Sequence, residues 1–294
     1  MRRAWALAVA LVAACGSRGP GLDRERAAAV FSRVAVDTGG VHGLSGLAVD
    51  GDGRLWTVAE RGAVAFAITV DGGVSTARRH PIAGLPPGED LEAVAVADDG
   101  GLWLGTEGRD RGVARVFHAA RASDGFAIDR PAIELRAETV GVEVGANHGA
   151  EGVCAAAGRV YVAIETAGRD DDGRWAPVVA IDPASGAQVV RRLRLTSDAG
   201  KLSALECWRD GERVRGWAIE RHFAVTRLLA FDLDGAGAIA PTVLVDLGPV
   251  LRGSLNLEGL ARLPDGRPVA AVDNQYRTIT GPDELLVFRA APRR

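Results

Sequence analysis

Asn256-Leu257-Glu258-Gly259-Leu260-Ala261, a turn at Asp265-Gly266 and the apolar run Val269 to Asp273 spell one short hairpin, and the chain writes that hairpin five times. The other starts are Leu44-Ser45-Gly46-Leu47-Ala48, Leu91-Glu92-Ala93-Val94-Ala95, Ala150-Glu151-Gly152-Val153-Cys154 and Leu202-Ser203-Ala204-Leu205-Glu206. Each is answered by a strand ending in an acid: Leu55 to Glu60, Leu102 to Glu107, Tyr161 to Glu165 and Trp217 to Glu220. A recurrence of about fifty residues built from short apolar strands predicts an all-β fold, a β-propeller.

The spacing carries the functional expectation. From Ser45 to Glu60, Glu92 to Glu107, Glu151 to Glu165, Ser203 to Glu220 and Glu258 to Asp273 the separations are 15, 15, 14, 17 and 15 residues. Turn residues lie near each midpoint, at Asp50 to Gly53, Asp98 to Gly101, Ala157-Gly158, Asp210-Gly211 and Asp265-Gly266. Each strand pair therefore folds back antiparallel, and its two marked residues meet at the open end. The first strand of each blade lines the central channel, so one face should carry a ring of acids.

Further strands follow most hairpins: Val64 to Val70 with Val74 to His80, Trp175 to Asp182 with Gln188 to Leu195, and Leu228 to Leu233 with Thr242 to Asp246. The last unit has only Glu284 to Ala290, one strand short, and Val30 to Asp37 stands unassigned at the other end of the chain. That N-terminal strand is expected to complete the last blade and to leave no open edge at the join. Five repeats predict five blades, or six if the connection from Ala119 to Asn147 hides a degenerate one.

Met1-Arg2-Arg3, an apolar run from Ala4 to Ala14 and then Cys15-Gly16-Ser17 describe an export signal. Val12-Ala13-Ala14-Cys15 resembles the lipobox of bacterial lipoproteins, which implies a signal peptide over residues 1–14, cleavage before Cys15 and acylation of its thiol. The alternative is an ordinary cleaved signal with an incidental cysteine. Residues 15–27 read as a tether and 28–291 as a single propeller, anchored at the cell envelope by lipid alone and expected to be monomeric. Without residues 1–14 the formal charge of −3 becomes −5, with 33 basic against 38 acidic residues, and no basic run remains; nucleic acid is not the expected partner. Cys154 and Cys207 lie on consecutive first strands, three residues after Glu151 and four after Ser203. That difference places their side chains on opposite strand faces, so two buried free thiols are expected rather than the pairing an oxidising periplasm would allow.

Glu92, Glu151 and Glu258 hold the first marked position, and Glu60, Glu107, Glu165, Glu220 and Asp273 the second. Carboxylates converging on one low-dielectric mouth repel unless a cation joins them, and oxygen-only ligation favours calcium. The expected ligands are Glu92, Glu151, Glu258 and Asp273. The structural alternative is that the acids accept backbone hydrogen bonds or pair with Arg61, Arg109 and Arg221. His42 and His148 each stand three residues before a marked position, on loops entering the mouth. Glu60, Glu220 and His148 are the candidate general acid–base groups, and Arg61, Arg221, His42 and Asn147 the candidate substrate contacts. The chain has no Gly-Xaa-Ser-Xaa-Gly elbow, CxxC pair, phosphate-binding loop or His-Glu-Xaa-Xaa-His.

Taken in order, the motifs resemble the phytase-like domain family, "esterase-like activity of phytase". The resemblance rests on Leu44-Ser45-Gly46-Leu47 with Ala59-Glu60-Arg61-Gly62, Asp90-Leu91-Glu92-Ala93 with Thr106-Glu107-Gly108, and Asn147 through Glu151-Gly152-Val153 with Ile164-Glu165. Leu202-Ser203-Ala204-Leu205 with Ile219-Glu220-Arg221, and Asn256-Leu257-Glu258-Gly259 with Val272-Asp273-Asn274, complete it. It implies hydrolysis of a phosphoester or another ester with calcium in an acidic channel, on a small-molecule or phosphorylated substrate. The chain departs from the family's pattern at Ala93, where glycine is usual, and at Gln275, where an acid is common. A non-catalytic binding module and a gluconolactonase-type metal hydrolase are the competing readings.

Overall fold

The computed structural model describes residues 22–71, 73–107, 112–145, 148–222, 224–235, 237–274 and 283–292. The expected signal peptide, Cys15, Arg109, Asn147 and Gln275 lie outside the described residues. Helix α1 (Arg24–Val30) is N-capped by Asp23, whose side chain accepts from the Arg26 amide, and leads into β1 (Phe31–Val36). The first unit is β2 (Leu44–Val49), β3 (Leu55–Ala59), β4 (Val64–Asp71) and β5 (Val74–Ala83). The second is β6 (Asp90–Val96), β7 (Leu102–Glu107), β8 (Val113–Arg121), β9 (Phe126–Ile128) and β10 (Ile133–Arg136), followed by α2 (Ala137–Val140). The third is β11 (Ala150–Ala156), β12 (Arg159–Ile164), β13 (Gly168–Asp170), β14 (Gly173–Ile181) and β15 (Gln188–Arg194). The fourth is β16 (Lys201–Asp210), β17 (Arg213–His222), β18 (Val225–Asp232) and β19 (Thr242–Asp246), then α3 (Gly248–Leu251). The last is β20 (Asn256–Arg262), β21 (Pro268–Asp273) and β22 (Asp283–Phe288).

As expected from the count of strands, β1 pairs antiparallel with β22 from Phe31↔Phe288 to Val36↔Asp283 and completes the last unit. The inner strands touch in a closed cycle, β2 with β6, β6 with β11, β11 with β16, β16 with β20 and β20 with β2. The segment after Ala119 supplies β9 and β10 to the outer side of β8 and, among the described residues, no inner hairpin of its own. A parallel contact of β5 with β9 at Ile82↔Phe126 joins the first two units at their outer edges.

Period-2 alternation explains why the ring holds. On β3, Leu55 and Ala59 pack toward the last unit, while Trp56 and Val58 pack toward the second. Each sheet thus serves two neighbours, and five buried clusters fill the five gaps between units. The expected free thiols are corrected on the same geometry: Cys154 and Cys207 form a disulfide, with Cα atoms 5.6 Å apart. Both side chains lie in the cluster between the third and fourth units. Adjacent units meet through opposite faces, so the differing offsets of the two cysteines are what a bridge between neighbouring inner strands requires.

Every inner strand carries a register shift at the same place. Pairing jumps from Leu91 to Ala93, from Ala150 to Gly152, from Leu202 to Ala204 and from Leu257 to Gly259, and between Ser45 and Ala48 in the first unit. The extra residue is Glu92, Glu151, Ser203 or Glu258, a β-bulge that re-aims the side chain away from the sheet. The residue after it must be small because the next inner strand passes close by. A Cβ at Gly152 would lie 2.6 Å from the Leu205 amide nitrogen, and one at Gly259 would lie 2.8 Å from the Gly46 carbonyl carbon.

Candidate functional site

The bulge residues Glu92, Glu151 and Glu258 are linked electrostatically, Glu92 and Glu258 acting on Glu151 and Glu258 acting on Glu92. Glu151 is raised well above its ordinary value by burial first, then by Glu92, Glu258 and Glu107. Glu92 is raised in the same way by burial, Glu60, Glu107 and Glu258. Glu60, from the loop after β3, is pushed up to about 8 by burial and by Asp273, Glu258 and Glu107. Glu258 rises to about 7, burial prevailing over Arg221, which lowers it. The structure therefore brings Glu60, Glu92, Glu107, Glu151, Glu258 and Asp273 into one electrostatic group.

Side-chain oxygens of Glu107, Glu151 and Glu165 all lie within 4.8 Å of one another. Ends of β7 and β12 and the bulge of β11 supply them, two neighbouring units meeting at the mouth. Glu107 and Glu165 stand at the second marked position but are absent from the ligand set expected from sequence. Lys201, the chain's single lysine, pairs with Glu165 Oε1, and His148 Nδ1 is 3.6 Å from Glu165 Oε2. Burial and Arg221 lower the Lys201 pKa, against the pull of Glu151, Glu258 and Glu107. Sequence reading assigned Lys201 no role, although its uniqueness beside a repeat start was visible.

Around Glu258 the mouth is partly neutralised. Arg221 pairs with its Oε1, and Asn256 Nδ2 donates to the same oxygen at 2.9 Å and to Asp273 Oδ2 at 2.8 Å. The Oε2 of Glu258 is buried without a hydrogen-bond partner among the described residues. Ser45 Oγ donates to the Glu92 carbonyl at 2.7 Å, and Ser203 Oγ donates to the Leu257 carbonyl at 2.7 Å, so these two serines stitch neighbouring inner strands. His42 lies on the rim with Nδ1 3.3 Å from Asp283 Oδ2, and Arg61 is exposed beside Glu60.

Glu220 is not in this group, which corrects the expectation that it serves as a general acid or base in the mouth. It pairs with Leu202, and Arg221 with Lys201, one step nearer the opening. Neighbouring residues of a strand point to opposite faces, so the fourth unit presents Arg221 where the other units present an acid. Fully buried, Glu220 accepts from the Thr196 amide at 2.9 Å, from Thr196 Oγ1 and from Ser197 Oγ at 2.6 Å. Its carboxylate holds the loop before β16.

Radial sheets, inner strands closing a cycle and an axial mouth define a β-propeller. The family model described as Phytase-like, "Esterase-like activity of phytase", matches residues 39–276, and the chain belongs to that family. Among solved structures it is similar to a protein assigned as a gluconolactonase, with TM-score 0.50 and 13% identity over 90% of this chain and 94% of that one. It is also similar to the PQQ-bound aldose sugar dehydrogenase of Streptomyces coelicolor, with TM-score 0.49 and 13% identity over 88% of this chain and 98% of that one. At such identities the likeness concerns the fold alone. No curated protein matches the chain. Among the described residues no helix is long and apolar enough to cross a membrane.

Proposed function

We propose that the acidic mouth is the active site of a metal-assisted hydrolase acting on phosphoesters or other esters. The observation that carries this reading is the convergence of Glu107, Glu151 and Glu165 oxygens to within 4.8 Å. The donor set is oxygen only, which fits a hard cation such as calcium, and the buried unpartnered Oε2 of Glu258 adds a further oxygen nearby. Glu107, Glu151 and Glu165 would hold the cation, in place of the set Glu92, Glu151, Glu258 and Asp273 expected from sequence. When bound it would act as a Lewis acid on an ester or phosphoryl oxygen.

The chain's own groups divide the remaining work. Arg221 and Lys201 supply positive charge to an anionic substrate, with Arg61 on the rim. Glu60, at about 8, keeps its proton at neutral pH and can deliver it to a leaving oxygen. His148 stands beside Glu165 with its side chain 45% exposed, able to exchange a proton with water. His42 and Asn147 remain candidates for substrate contact.

The disulfide supports export to an oxidising compartment, and with the lipobox-like start it supports attachment at the bacterial envelope through acylated Cys15. Assays of the purified protein on phytate, phosphomonoesters and aryl esters, with calcium and with chelator, test the reading. Calcium-dependent turnover of at least one class is expected; inactivity on all of them under both conditions would refute it. A binding module is the second reading, favoured by the Lys201–Glu165 and Arg221–Glu258 pairs that already occupy part of the mouth. It would show a calcium-dependent melting temperature without turnover.

A further inference from the structure

The inner strands all run from the acidic mouth toward a second opening at the other end of the ring. There a cavity of about 310 Å³ is lined from all five units, by the ends of β2, β6, β11, β16 and β20 and the residues just after them. Its walls mix polar atoms with apolar side chains, among them Leu47, Val96, Val153 and the Cys154–Cys207 bridge. Two ionisable side chains stand out in it, Glu206 and Arg262. The Arg262 guanidinium lies over the Trp208 ring, 4.9 Å from its centroid, and its charge acts on the Glu206 carboxyl. Asp50, the other acid of the cavity, is committed to Trp56 Nε1 at 2.9 Å and to the backbone amides of Asp52 and Arg54.

An arginine pre-positioned on an aromatic face is a ready partner for a planar anion. Glu206 adds a complementary group. Burial pushes its carboxyl up to about 8, with the backbone amides of Cys207 and Arg262 and the Arg262 charge opposing. The size of the cavity is at the lower end of those that hold small molecules.

We propose that this pocket, at the end of the ring away from the acids, binds a small organic carboxylate with an apolar body. The carboxylate would take the Arg262 fork, while the body lies against the apolar side chains of the inner-strand ends. The inference is independent of the hydrolase reading, because it uses none of the mouth residues.

The probe is benzoate, titrated calorimetrically into the whole protein, followed by a crystal soak with 4-bromobenzoate. Saturable binding is expected with a dissociation constant at or below about 1 mM, as suits a ligand of so few atoms. Arg262→Gln should weaken it at least tenfold, and Glu151→Gln, in the mouth, should leave it within twofold. Anomalous bromine density beside Arg262 and Trp208 is expected in the unmodified protein, a readout that stands even if the Arg262 variant fails to fold. Absence of saturable binding, density only elsewhere, or loss of binding in Glu151→Gln would overturn the proposal.

Discussion

Replacing Glu151 by Gln should stabilise the metal-free protein at pH 7.5 and change it little near pH 4.5. Glu151 is 4% exposed, and burial first, then the charges of Glu92, Glu258 and Glu107, hold its pKa well above the ordinary 4.5. At the 4.8 Å limit that separates the Glu107, Glu151 and Glu165 oxygens, two unit charges repel by about 3.5 kcal/mol at an effective dielectric of 20. That repulsion, added to burial, favours the protonated form of Glu151 in the folded protein. A chain that ionises at 4.5 when unfolded must take up a proton on folding at any pH between the unfolded and folded values, at about 1.4 kcal/mol per pH unit above 4.5. Glutamine has the same shape and needs no proton, so the variant gains about 1.4 kcal/mol, or roughly 3 °C in melting temperature, for each pH unit between 4.5 and the folded value. Because the folded pKa is raised, the carboxyl's contribution is fully present below the unfolded value and is lost as pH rises toward the folded one. The advantage of the variant must therefore grow from pH 4.5 to pH 7.5. Urea unfolding in chelator across that range measures it. A variant less stable than the parent at pH 7.5, or equally shifted at every pH, would refute the account of a crowded, protonated mouth.

Other expectations follow from the same geometry. Serine at both Cys154 and Cys207 should lower stability by about 4 kcal/mol, the loop-closure value for a sequence separation of 53 residues, measured by denaturant midpoint under non-reducing conditions. Glu220→Ala leaves the Thr196 and Ser197 donors facing an emptied site, and should cost about 2–3 kcal/mol while calcium affinity stays within twofold by calorimetry. Ser203→Ala removes the 2.7 Å bond to the Leu257 carbonyl and should cost about 1 kcal/mol in the same unfolding assay.

The fold was legible because its unit is short and repeated: turn glycines, apolar pairs and a missing last strand together implied a ring closed by β1. The site was legible only in part. That acids gather at one end follows from hairpin geometry, but which of them point at each other depends on the bulge, one unpaired residue per inner strand that leaves no mark in composition. Glu220 and Arg221 show the limit most clearly, since both are polar, both close the fourth hairpin, and a one-residue difference in register exchanges their faces. The cysteines show a different one: parity on a strand is readable, but the consequence of parity changes when the partner strand belongs to the neighbouring sheet rather than to the same one. Lys201 was given no role because its contact with Glu165 crosses between units that only the assembled ring brings together, and Asn256 because its contacts with Glu258 and Asp273 depend on the side-chain directions set by the bulge.

The most direct test of the central claim is a crystal structure of the protein grown with calcium. A cation bonded to oxygens of Glu107, Glu151 and Glu165 at about 2.3–2.6 Å is the predicted result. Saturating calcium with no density among those three carboxylates, and Glu165 still paired with Lys201, would contradict it.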